Sequence, residues 1–351
     1  MISPDVTYWI KCLDAAVPLQ RWKDTNRPVY VWGAYAKGWQ IYEALRERGY
    51  GLGGFIDAHK ETKEYHGKDV YRPDEVLERD IFVVVAIEGI RREIKHYLAK
   101  YGFRQEEDYI YFAENIPEVR IAGFHGEYRD TYQNVFVYEG DCDLEINIVC
   151  IGGNNTVRIG KDYRGNGRLK LILAYGSTIT LGDAFQSEGD VLLDATGGGR
   201  IAVGKGFRVM KDTNINARYE ASIEVGDYVT AGQRLFLSSG RFSPVTIGSD
   251  CMFSHDVSIF GTNGHSILDM NDRKNRSMES EKAIQIGTHV WLGKGASVLY
   301  GTDIGDGCVV GASSVVRGMF PERCVLAGNR AKVIRENCTW DRRREIAFED
   351  F

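Results

Sequence analysis

The chain has 351 residues and a formal net charge of −5, a length typical of two domains and a charge that disfavours nucleic acid as the main partner. Hydrophobic residues make up 43% and charged residues 26% of the sequence, which is the composition of a protein with a packed core rather than of a disordered chain. The longest apolar run, 81–87, is too short to span a membrane, so we expect no membrane-spanning segment.

The cysteines and the N-terminal sequence indicate the compartment. The seven cysteines are scattered and form no Cys-x-x-Cys pair. The first residues lack the basic start and apolar block of a signal peptide. We therefore expect reduced thiols and a cytoplasmic protein.

Residues 1–115 alternate predicted strands and helices, the pattern of a small α/β domain with a parallel sheet. Apolar spacing predicts an opening helix over 5–17. The strands that we expect are 28–32, 54–57, 81–87 and 109–112. We expect three further helices: one after the turn Gly33–Gly38, one capped by Asp74, and one over 90–101.

The glycine turn of this domain is a candidate ligand site. Gly33 and Gly38 frame the turn that opens the first helix after a strand, where backbone N–H groups can hold a phosphate. Asp57, at the end of the next strand, could accept a hydrogen bond from a ribose hydroxyl. Ala36 stands where a dinucleotide fingerprint needs its middle glycine, which disfavours a redox cofactor. Two interpretations stay open: a nucleotide-sugar pocket, or a docking domain that has lost its ligand.

Residues 116–136 carry Pro117, Gly123 and Gly126 among mixed charges, and we interpret them as a linker. The second domain then covers 137–340, and residues 341–351 form a charged C-terminal tail. Val137 is expected to begin an irregular capping coil of the second domain.

The second domain is organised around a six-residue period. Residues 286–315 divide into the blocks IGTHVW, LGKGAS, VLYGTD, IGDGCV and VGASSV, each of which begins with an aliphatic residue that is usually followed by glycine. This period fits neither an α-helix nor a simple strand. It fits a chain wound into a triangular coil, in which the aliphatic side chains fill the interior and the small residues allow the chain to turn. The sequence therefore predicts a parallel β-helix.

The same pattern extends upstream with a longer repeat. Aliphatic-glycine pairs recur every 22 residues, at Ile159, Leu181, Val203, Val225 and Ile247. We interpret these repeats as coils of three six-residue blocks with four extra residues at one corner. The next pair, at Ile286, follows after 39 residues, so one corner carries a long excursion after Ile259. Such a long loop in a regular solenoid is usually functional or disordered.

Four segments of this domain resemble the hexapeptide-repeat acetyltransferases, in particular galactoside, maltose and capsule O-acetyltransferases. They are SHDVSIFGTNGHSI, IGTHVWLG, IGDGCVVGASSVV and AGNRAKVIREN. The resemblance implies a left-handed β-helix, a homotrimer, and acetyl-CoA bound in a groove between neighbouring subunits. The first domain resembles, more weakly, the N-terminal Rossmann-like domain of bacterial sugar acyltransferases of the bacillosamine and sialic-acid type.

His265 matches the catalytic histidine of that family. A neutral imidazole can take the proton of a sugar hydroxyl as it attacks the thioester, and can then protonate the departing thiolate. A carboxylate or a carbonyl is expected to orient the ring. The residues that we consider as possible support are His255, Asp256 and Asp269.

The resemblance also implies positions for the cofactor and the acceptor. The residues expected to bind acetyl-CoA are Trp291, Lys294, Ala312, Arg317, Lys332 and Arg335. Small residues let the pantetheine lie against the backbone, while lysine and arginine meet the phosphates. The residues assigned to the acceptor pocket are Gln233, Arg234 and Met278. Arg330 stands where relatives usually have proline, which leaves the geometry of the terminal turn open.

The function that this pattern favours is acetyl-CoA-dependent O-acetylation of a sugar hydroxyl on a surface glycan or a glycan precursor. Three alternatives remain. The first domain favours N-acetylation of an amino-sugar nucleotide. A zinc hydratase on the same solenoid needs three converging histidines, which the spacing of His255, His265 and His289 disfavours, so we expect no metal. A non-catalytic trimeric scaffold or glycan-binding solenoid is the non-enzymatic alternative.

Overall fold

Two compact units make up the computed structural model of the chain. It describes residues 21–23, 25–59, 62–87, 91–112, 118–141, 144–218, 220–240, 243–262, 268–271, 274–275, 282–343 and 345. The first unit is Met1–Glu118 with Ile151–Asn154, and the second is Val119–Cys150 with Asn155–Phe351. The helix predicted over 5–17 lies outside the described residues. No helix in the described part of the chain is long and apolar enough to cross a membrane.

The first unit is an α/β layer structure. Its described helices are α1 (Ala36–Glu47), α2 (Pro73–Val76) and α3 (Arg91–Lys100). Its strands are β1 (Val29–Trp32), β2 (Leu52–Ile56), β3 (Glu64–Tyr65), β4 (Lys68–Tyr71), β5 (Phe82–Val85) and β6 (Tyr109–Tyr111). The strand order is β3-β4-β2-β1-β5-β6, and all neighbours except β3 and β4 are parallel. The predicted alternation of strands and helices is therefore present, in the strand order of a doubly wound sheet.

Two details of this unit differ from the sequence prediction. The antiparallel hairpin β3–β4 was not predicted, because its first strand has only two residues and shows no periodicity. Asp74 is not the cap of α2. The N-cap is Arg72, whose backbone N–H donates to Glu75 Oε2 at 2.7 Å, and Pro73 occupies the first turn. Proline fits that position because its missing N–H would have no partner there.

The second unit consists almost entirely of short strands. They are β7 (Glu118–Phe124), β8 (Gly126–Arg129), β9 (Val135–Tyr138), β10 (Leu144–Ile151), β11 (Thr156–Ile159), β12 (Arg164–Asn166), β13 (Leu169–Ala174), β14 (Thr178–Leu181), β15 (Gln186–Glu188), β16 (Val191–Thr196), β17 (Arg200–Val203), β18 (Arg208–Val209), β19 (Thr213–Arg218), β20 (Ser222–Val225), β21 (Thr230–Ala231), β22 (Phe236–Ser239), β23 (Val245–Ile247), β24 (Met252–Phe253), β25 (Ser258–Phe260), β26 (Leu268–Asp269), β27 (Lys274–Asn275), β28 (Ile284–Ile286), β29 (Trp291–Leu292), β30 (Ser297–Leu299), β31 (Asp303–Ile304), β32 (Val309–Val310), β33 (Val315–Val316), β34 (Met319–Phe320), β35 (Val325–Ala327) and β36 (Lys332–Arg335).

Except for β26 and β27, these strands form three long sheets, one on each side of a triangular coil. The first sheet has the order β34-β31-β28-β23-β20-β17-β14-β11-β9-β8, the second β12-β15-β18-β21-β24-β29-β32-β35-β36, and the third β33-β30-β25-β22-β19-β16-β13-β10-β7. Successive strands of one coil belong to the first, second and third sheet in turn, and the strands of neighbouring coils pair in parallel. The predicted parallel β-helix is confirmed.

The register confirms the predicted repeat of 22 residues. Ile159 pairs with Leu181, and Leu181 pairs with Val203, in the first sheet. The same row continues through Val225, Ile247 and Ile286. Within one coil, the residues of the six-residue period point inward from different sheets and are buried, as for Val203, Val209 and Ile215. The excursion lies between β25 and β28, and its described part contains the antiparallel pair β26–β27.

The glycine after each aliphatic residue has a different physical cause from the one predicted. Gly182, Gly226 and Gly248 do not adopt the positive φ that a turn glycine needs. A Cβ on Gly248 would instead lie 2.6 Å from the backbone of Gly287 and Thr288 in the next coil. The residue with positive φ comes two positions later and is not glycine, as in Tyr228 and Asp250. Glycine is therefore needed for the close approach of stacked coils, not for the turn itself.

The predicted linker over 116–136 is wrong where the structure describes it. Residues 118–124 and 126–129 form β7 and β8, which extend the third and first sheets. β8 is antiparallel to β9, whereas β9 is parallel to β11. The mixed charges and glycines were misleading because strands at the end of a solenoid have one face in solvent.

The segment 336–343, here called the C-terminal strap, packs onto the corners between the first and second sheets. Trp340 stacks on His289 at 4.4 Å and donates its indole N–H to the His289 carbonyl at 2.8 Å. His289 Nδ1 lies 2.6 Å from Asp250 Oδ2, and its Nε2 lies 2.8 Å from the Trp340 carbonyl. Arg342 donates to Asp250 Oδ1 at 3.0 Å and to Thr230 Oγ1 at 2.9 Å. The described residues 341–343 of the predicted charged tail therefore belong to the β-helix unit.

We expect Gly248→Ala to destabilise the β-helix, because its new Cβ would overlap the backbone of the next coil. Overpacking of this kind costs about 1–3 kcal/mol. The measurement is the thermal unfolding temperature followed by circular dichroism. Gly51→Ala is the control, since no atom lies within 4 Å of its added Cβ. Equal unfolding temperatures for the two variants would contradict the close-approach explanation.

The contacts of the C-terminal strap should also make the stability of the β-helix depend on pH. Burial raises the pKa of Asp250, but hydrogen bonds from His289 and Arg342 outweigh it, so the pKa lies below its usual range. Because the pKa of Asp250 is lower in the folded than in the unfolded protein, its carboxylate stabilises the fold at pH values above the unfolded pKa of about 3.9. This contribution is lost as the pH falls through the folded pKa. Asp250→Asn should therefore lower the unfolding temperature at pH 6 and converge on the native protein as the pH falls below the depressed pKa of Asp250. A difference that stays constant across this pH range would contradict the assignment.

Candidate functional site

Several of the predicted site residues lie in one column along the corner between the second and third sheets. Backbone hydrogen bonds join Asp256 to Gln233 at 2.9 Å, Gly295 to His255 at 3.0 Å, and Ser313 to Lys294 at 2.8 Å. The column, here called the corner column, consists of Lys211–Asp212, Gln233–Arg234, His255–Asp256, Lys294–Gly295 and Ala312–Ser313. The second residue of each pair has a φ between 55° and 70°, which completes the turn. The β-helix thus brings together positions that are far apart in sequence.

His255 has a structural contact in this column. Its Nδ1 accepts the backbone N–H of Gln233 in the preceding coil at 3.0 Å. A Cβ on Gly232 would lie 2.8 Å from the same nitrogen, so glycine is required for the ring to lie there. Asp183, Asp227 and Asp306 accept a backbone N–H in the same way at the corner between the first and second sheets. His255 therefore caps a corner as these aspartates do.

Asp256 is held by Arg234 of the preceding coil. The guanidinium donates from Nε to Asp256 Oδ1 at 2.5 Å and from Nη2 to Oδ2 at 3.0 Å. The hydrogen bonds from Arg234 outweigh the opposing effect of burial and, with the charges of Arg234 and Lys294, place the pKa of Asp256 below its usual range. Asp256 is therefore a carboxylate with its oxygens engaged, and Arg234 is not a free cation.

Trp291 lies on an outward row of the second sheet beside the corner column. In this row, register pairs Thr230 with Met252, Met252 with Trp291, and Trp291 with Val309. The row continues to Val325 and then to Arg335. The Trp291 indole N–H donates to Ser254 Oγ at 3.1 Å, which joins this row to the corner column. The row places an aromatic ring, two aliphatic side chains and an arginine in a line.

A groove of about 380 Å³ runs along the second sheet up to this corner. It is lined by Arg208, Met210, Thr230, Ala231, Gly232, Met252, Phe253, Ser254 and His255. Its lining combines apolar side chains with Arg208 and Thr230 on one side and Ser254 and His255 on the other, which is the usual character of a small-molecule site.

Other predicted residues lie elsewhere or are not described. Arg317 is not in the corner column, because it lies between β33 and β34 at the corner between the third and first sheets. Its guanidinium packs over the Tyr300 ring at 4.4 Å. Lys332 lies in β36 opposite Ala327 and is exposed. Asp269 Oδ1 accepts the backbone N–H of Asn271 at 2.9 Å within the excursion. The predicted base His265 and the acceptor residue Met278 lie outside the described residues.

The candidate nucleotide site of the first unit has a compact turn. A Cβ on Gly38 would lie 1.9 Å from the Gly33 carbonyl oxygen, and Gly33 has a φ of 124°, so both positions require glycine. Asp57 Oδ2 accepts the backbone N–H of Ala34 at 3.3 Å, and its Oδ1 accepts that of His59 at 3.0 Å. Asp57 therefore fixes the turn, and binding of a nucleotide there stays a prediction.

Two parts of the site were not predicted from sequence. Ser254 belongs to a segment that carries the family resemblance, and its position one residue before the corner histidine places it beside the tryptophan of the next coil. Trp340 lies 6.1 Å from Trp291, ring to ring, because the C-terminal strap folds back. In the described part of the chain, no group of three or more histidine, cysteine, aspartate or glutamate side chains is placed to hold a metal.

Part of the chain is similar to known transferases. Residues 283–318 match the family described as bacterial transferase hexapeptide (six repeats). The polysialic acid O-acetyltransferase of Escherichia coli O1:K1 / APEC is 31% identical over 132 residues, which cover 36% of this chain and 42% of that protein. The galactoside O-acetyltransferase of Escherichia coli K12 is 37% identical over 107 residues, which cover 30% of this chain and 50% of that protein. The chain thus spans about half the length of the curated relatives it matches.

Among solved structures, the polySia-specific acetyltransferase NeuO matches 61% of this chain and 80% of its own, at 29% identity and a TM-score of 0.39. The resemblance predicted from the four sequence segments is confirmed. The second unit carries the hexapeptide repeat of bacterial transferases, and over about a third of its length the chain is related to acetyltransferases.

Proposed function

We propose that this protein is an acetyl-CoA-dependent O-acetyltransferase that acts on a sugar hydroxyl of a surface glycan or a glycan precursor. The observation that carries the proposal is the corner column, which brings two of the residues assigned to the acceptor, Gln233 and Arg234, together with two assigned to the cofactor, Lys294 and Ala312. The column lies beside Trp291 in a hexapeptide-repeat β-helix. The relatives with names that specify a sugar, polysialic acid and galactoside, transfer acetyl groups to oxygen. A homotrimer belongs to the same proposal.

The residues on the outward row of the second sheet fit coenzyme A. Trp291 offers an aromatic face, and the half-buried Val309 and Val325 leave an apolar strip along which a pantetheine can lie. Arg335, the register partner of Val325, offers a cation to phosphate at the end of this row. Lys294 supplies a second cation at the corner column. Acetyl-CoA supplies the activated acyl group as a thioester.

In this proposal His265 takes the proton of the sugar hydroxyl while the oxygen attacks the thioester carbon. The C–O bond forms, the C–S bond breaks, and the proton passes to the departing thiolate. The sugar oxygen is a poor nucleophile near neutral pH, which is why a positioned base is needed. Asp256 is engaged by Arg234, so we assign it no role as the group that orients His265.

Substitution of the base tests the function. His265→Ala should lower turnover by about 10²–10⁴, the usual contribution of a positioned proton acceptor. The rate of the native enzyme should rise with pH as the base loses its proton, and this dependence should vanish in the variant. The measurement is thiol release from acetyl-CoA with a panel of sugars and amino sugars, with sedimentation to verify the oligomer.

His96→Ala, which removes an exposed imidazole of α3 in the first unit, is the control and should transfer normally. Equal transfer by the native protein and His265→Ala would end the proposed mechanism. Transfer to amines alone would favour the N-acetyltransferase, and no transfer to any acceptor would favour the scaffold.

Arg335→Ala should weaken acetyl-CoA binding by roughly tenfold, because a hydrogen bond to a charged group contributes about 1.5–3 kcal/mol. The affinity for the sugar should stay close to normal. Calorimetric titration with acetyl-CoA and with its dephospho analogue measures the effect. Arg200→Ala, which removes an exposed arginine from the first sheet, is the matched control. If both variants bind acetyl-CoA as the native protein does, the nucleotide end lies elsewhere.

A further inference from the structure

Two adjacent side chains at the end of the groove each retain a group that can donate a hydrogen bond. The first is Ser254. The indole N–H of Trp291 can only donate, so Ser254 Oγ must accept it at 3.1 Å. The hydroxyl proton of Ser254 is therefore directed elsewhere, and no acceptor for it is found among the described residues. A serine that accepts from tryptophan thus remains a donor.

The second is His255. The backbone N–H of Gln233 can only donate, so His255 Nδ1 must carry a lone pair to accept it at 3.0 Å. In the neutral ring the proton then lies on Nε2. Asp227 and Asp306 make the same corner contact with a carboxylate oxygen and keep no donor. His255 therefore accepts a backbone N–H as these aspartates do, and in addition it has an N–H group that can donate.

Both donors border the groove on the second sheet. Ser254 and His255 are consecutive residues and both line it, and Gly232 leaves room beside the ring. Two of the neighbouring charges engage each other, since Arg234 and Asp256 form an ion pair. A ligand in the groove thus meets two neutral donors and no unpaired acceptor from these four residues.

We propose that Ser254 Oγ–H and His255 Nε2–H together form a subsite that binds an oxygen atom of a ligand. The proposal rests on the proposed function, which offers two sources for that oxygen: the carbonyl of the acetyl thioester, or an oxygen of the sugar. On the carbonyl, the two donors stabilise the negative charge that develops as the sugar oxygen attacks. His255 is then a hydrogen-bond donor and not a second base, because its Nε2 already carries a proton.

The protonation state is tested first, without any assay of activity. Nitrogen-15 spectra of the full-length protein with labelled histidine, recorded near pH 7.5 and assigned by comparison with His255→Asn, separate the two neutral tautomers. We expect the proton of His255 on Nε2. A proton on Nδ1 would overturn the subsite, because the ring could not accept from Gln233 and offer a donor to the groove.

The ligand is tested with a variant that separates the structural contact from the donor. His255→Asn retains an acceptor for the Gln233 N–H but lacks the Nε2–H, whereas His255→Ala lacks both. If the donor binds the thioester carbonyl in the transition state, both variants should lose roughly 10²-fold in kcat with acetyl-CoA. If it binds a sugar oxygen in the ground state, the sugar KM should rise roughly threefold to tenfold with kcat retained.

Ser254→Ala should act in the same direction as His255→Asn, and Ser258→Ala, which removes a half-buried hydroxyl of the third sheet, should not. Normal kcat and KM in His255→Asn, with loss only in His255→Ala, would show a purely structural histidine and overturn the subsite. Failure of the native protein to transfer acetyl to any acceptor would overturn the proposed function and this ligand assignment together, while the nitrogen spectra would still decide the donor state.

Discussion

The distance between stacked coils is the constraint on which the second unit depends. Parallel strands lie about 4.8 Å apart, so a corner has room for one backbone and almost nothing beside it. Glycine supplies the close approach at Gly248 and its equivalents, and a residue with positive φ completes the turn two positions later. A side chain of the next coil then accepts the exposed N–H, as Asp227 does for Lys205. Because every coil solves the same problem, its corners form straight columns, and the candidate site is built on one of them.

The period of the β-helix could be predicted from sequence because burial imposes it. The inward positions Ile159, Leu181 and Val203 must be apolar in every coil, so the repeat appears directly in the residue order. The corner column could be predicted in part for the same reason, since equal spacing places Gln233 and His255 in adjacent coils. The role of the glycines could not, because Gly248 faces a residue 39 positions later and the sequence alone does not show that contact.

The parts that sequence did not predict depend on single contacts rather than on repetition. The C-terminal strap reaches Asp250 from Arg342 across 92 positions, with no periodic signal to indicate where it lands. The donor state of His255 follows from one backbone N–H, and that of Ser254 from one indole. The strands β7 and β8 were hidden because the end of a solenoid has only one neighbour to pack against, which weakens its apolar pattern.

The outward row from Trp291 to Arg335 has a consequence for the size of ligand that it can hold. Each step along the row adds one strand spacing, so the three steps through Val309 and Val325 span roughly 14 Å. This length is set by the backbone and does not vary with side-chain conformation. The number of coils therefore sets the distance between the tryptophan and the arginine. A coil inserted between them would lengthen this distance by about 4.8 Å without changing either end. The length of a long, thin ligand that the row can hold would in this way change in steps of one coil.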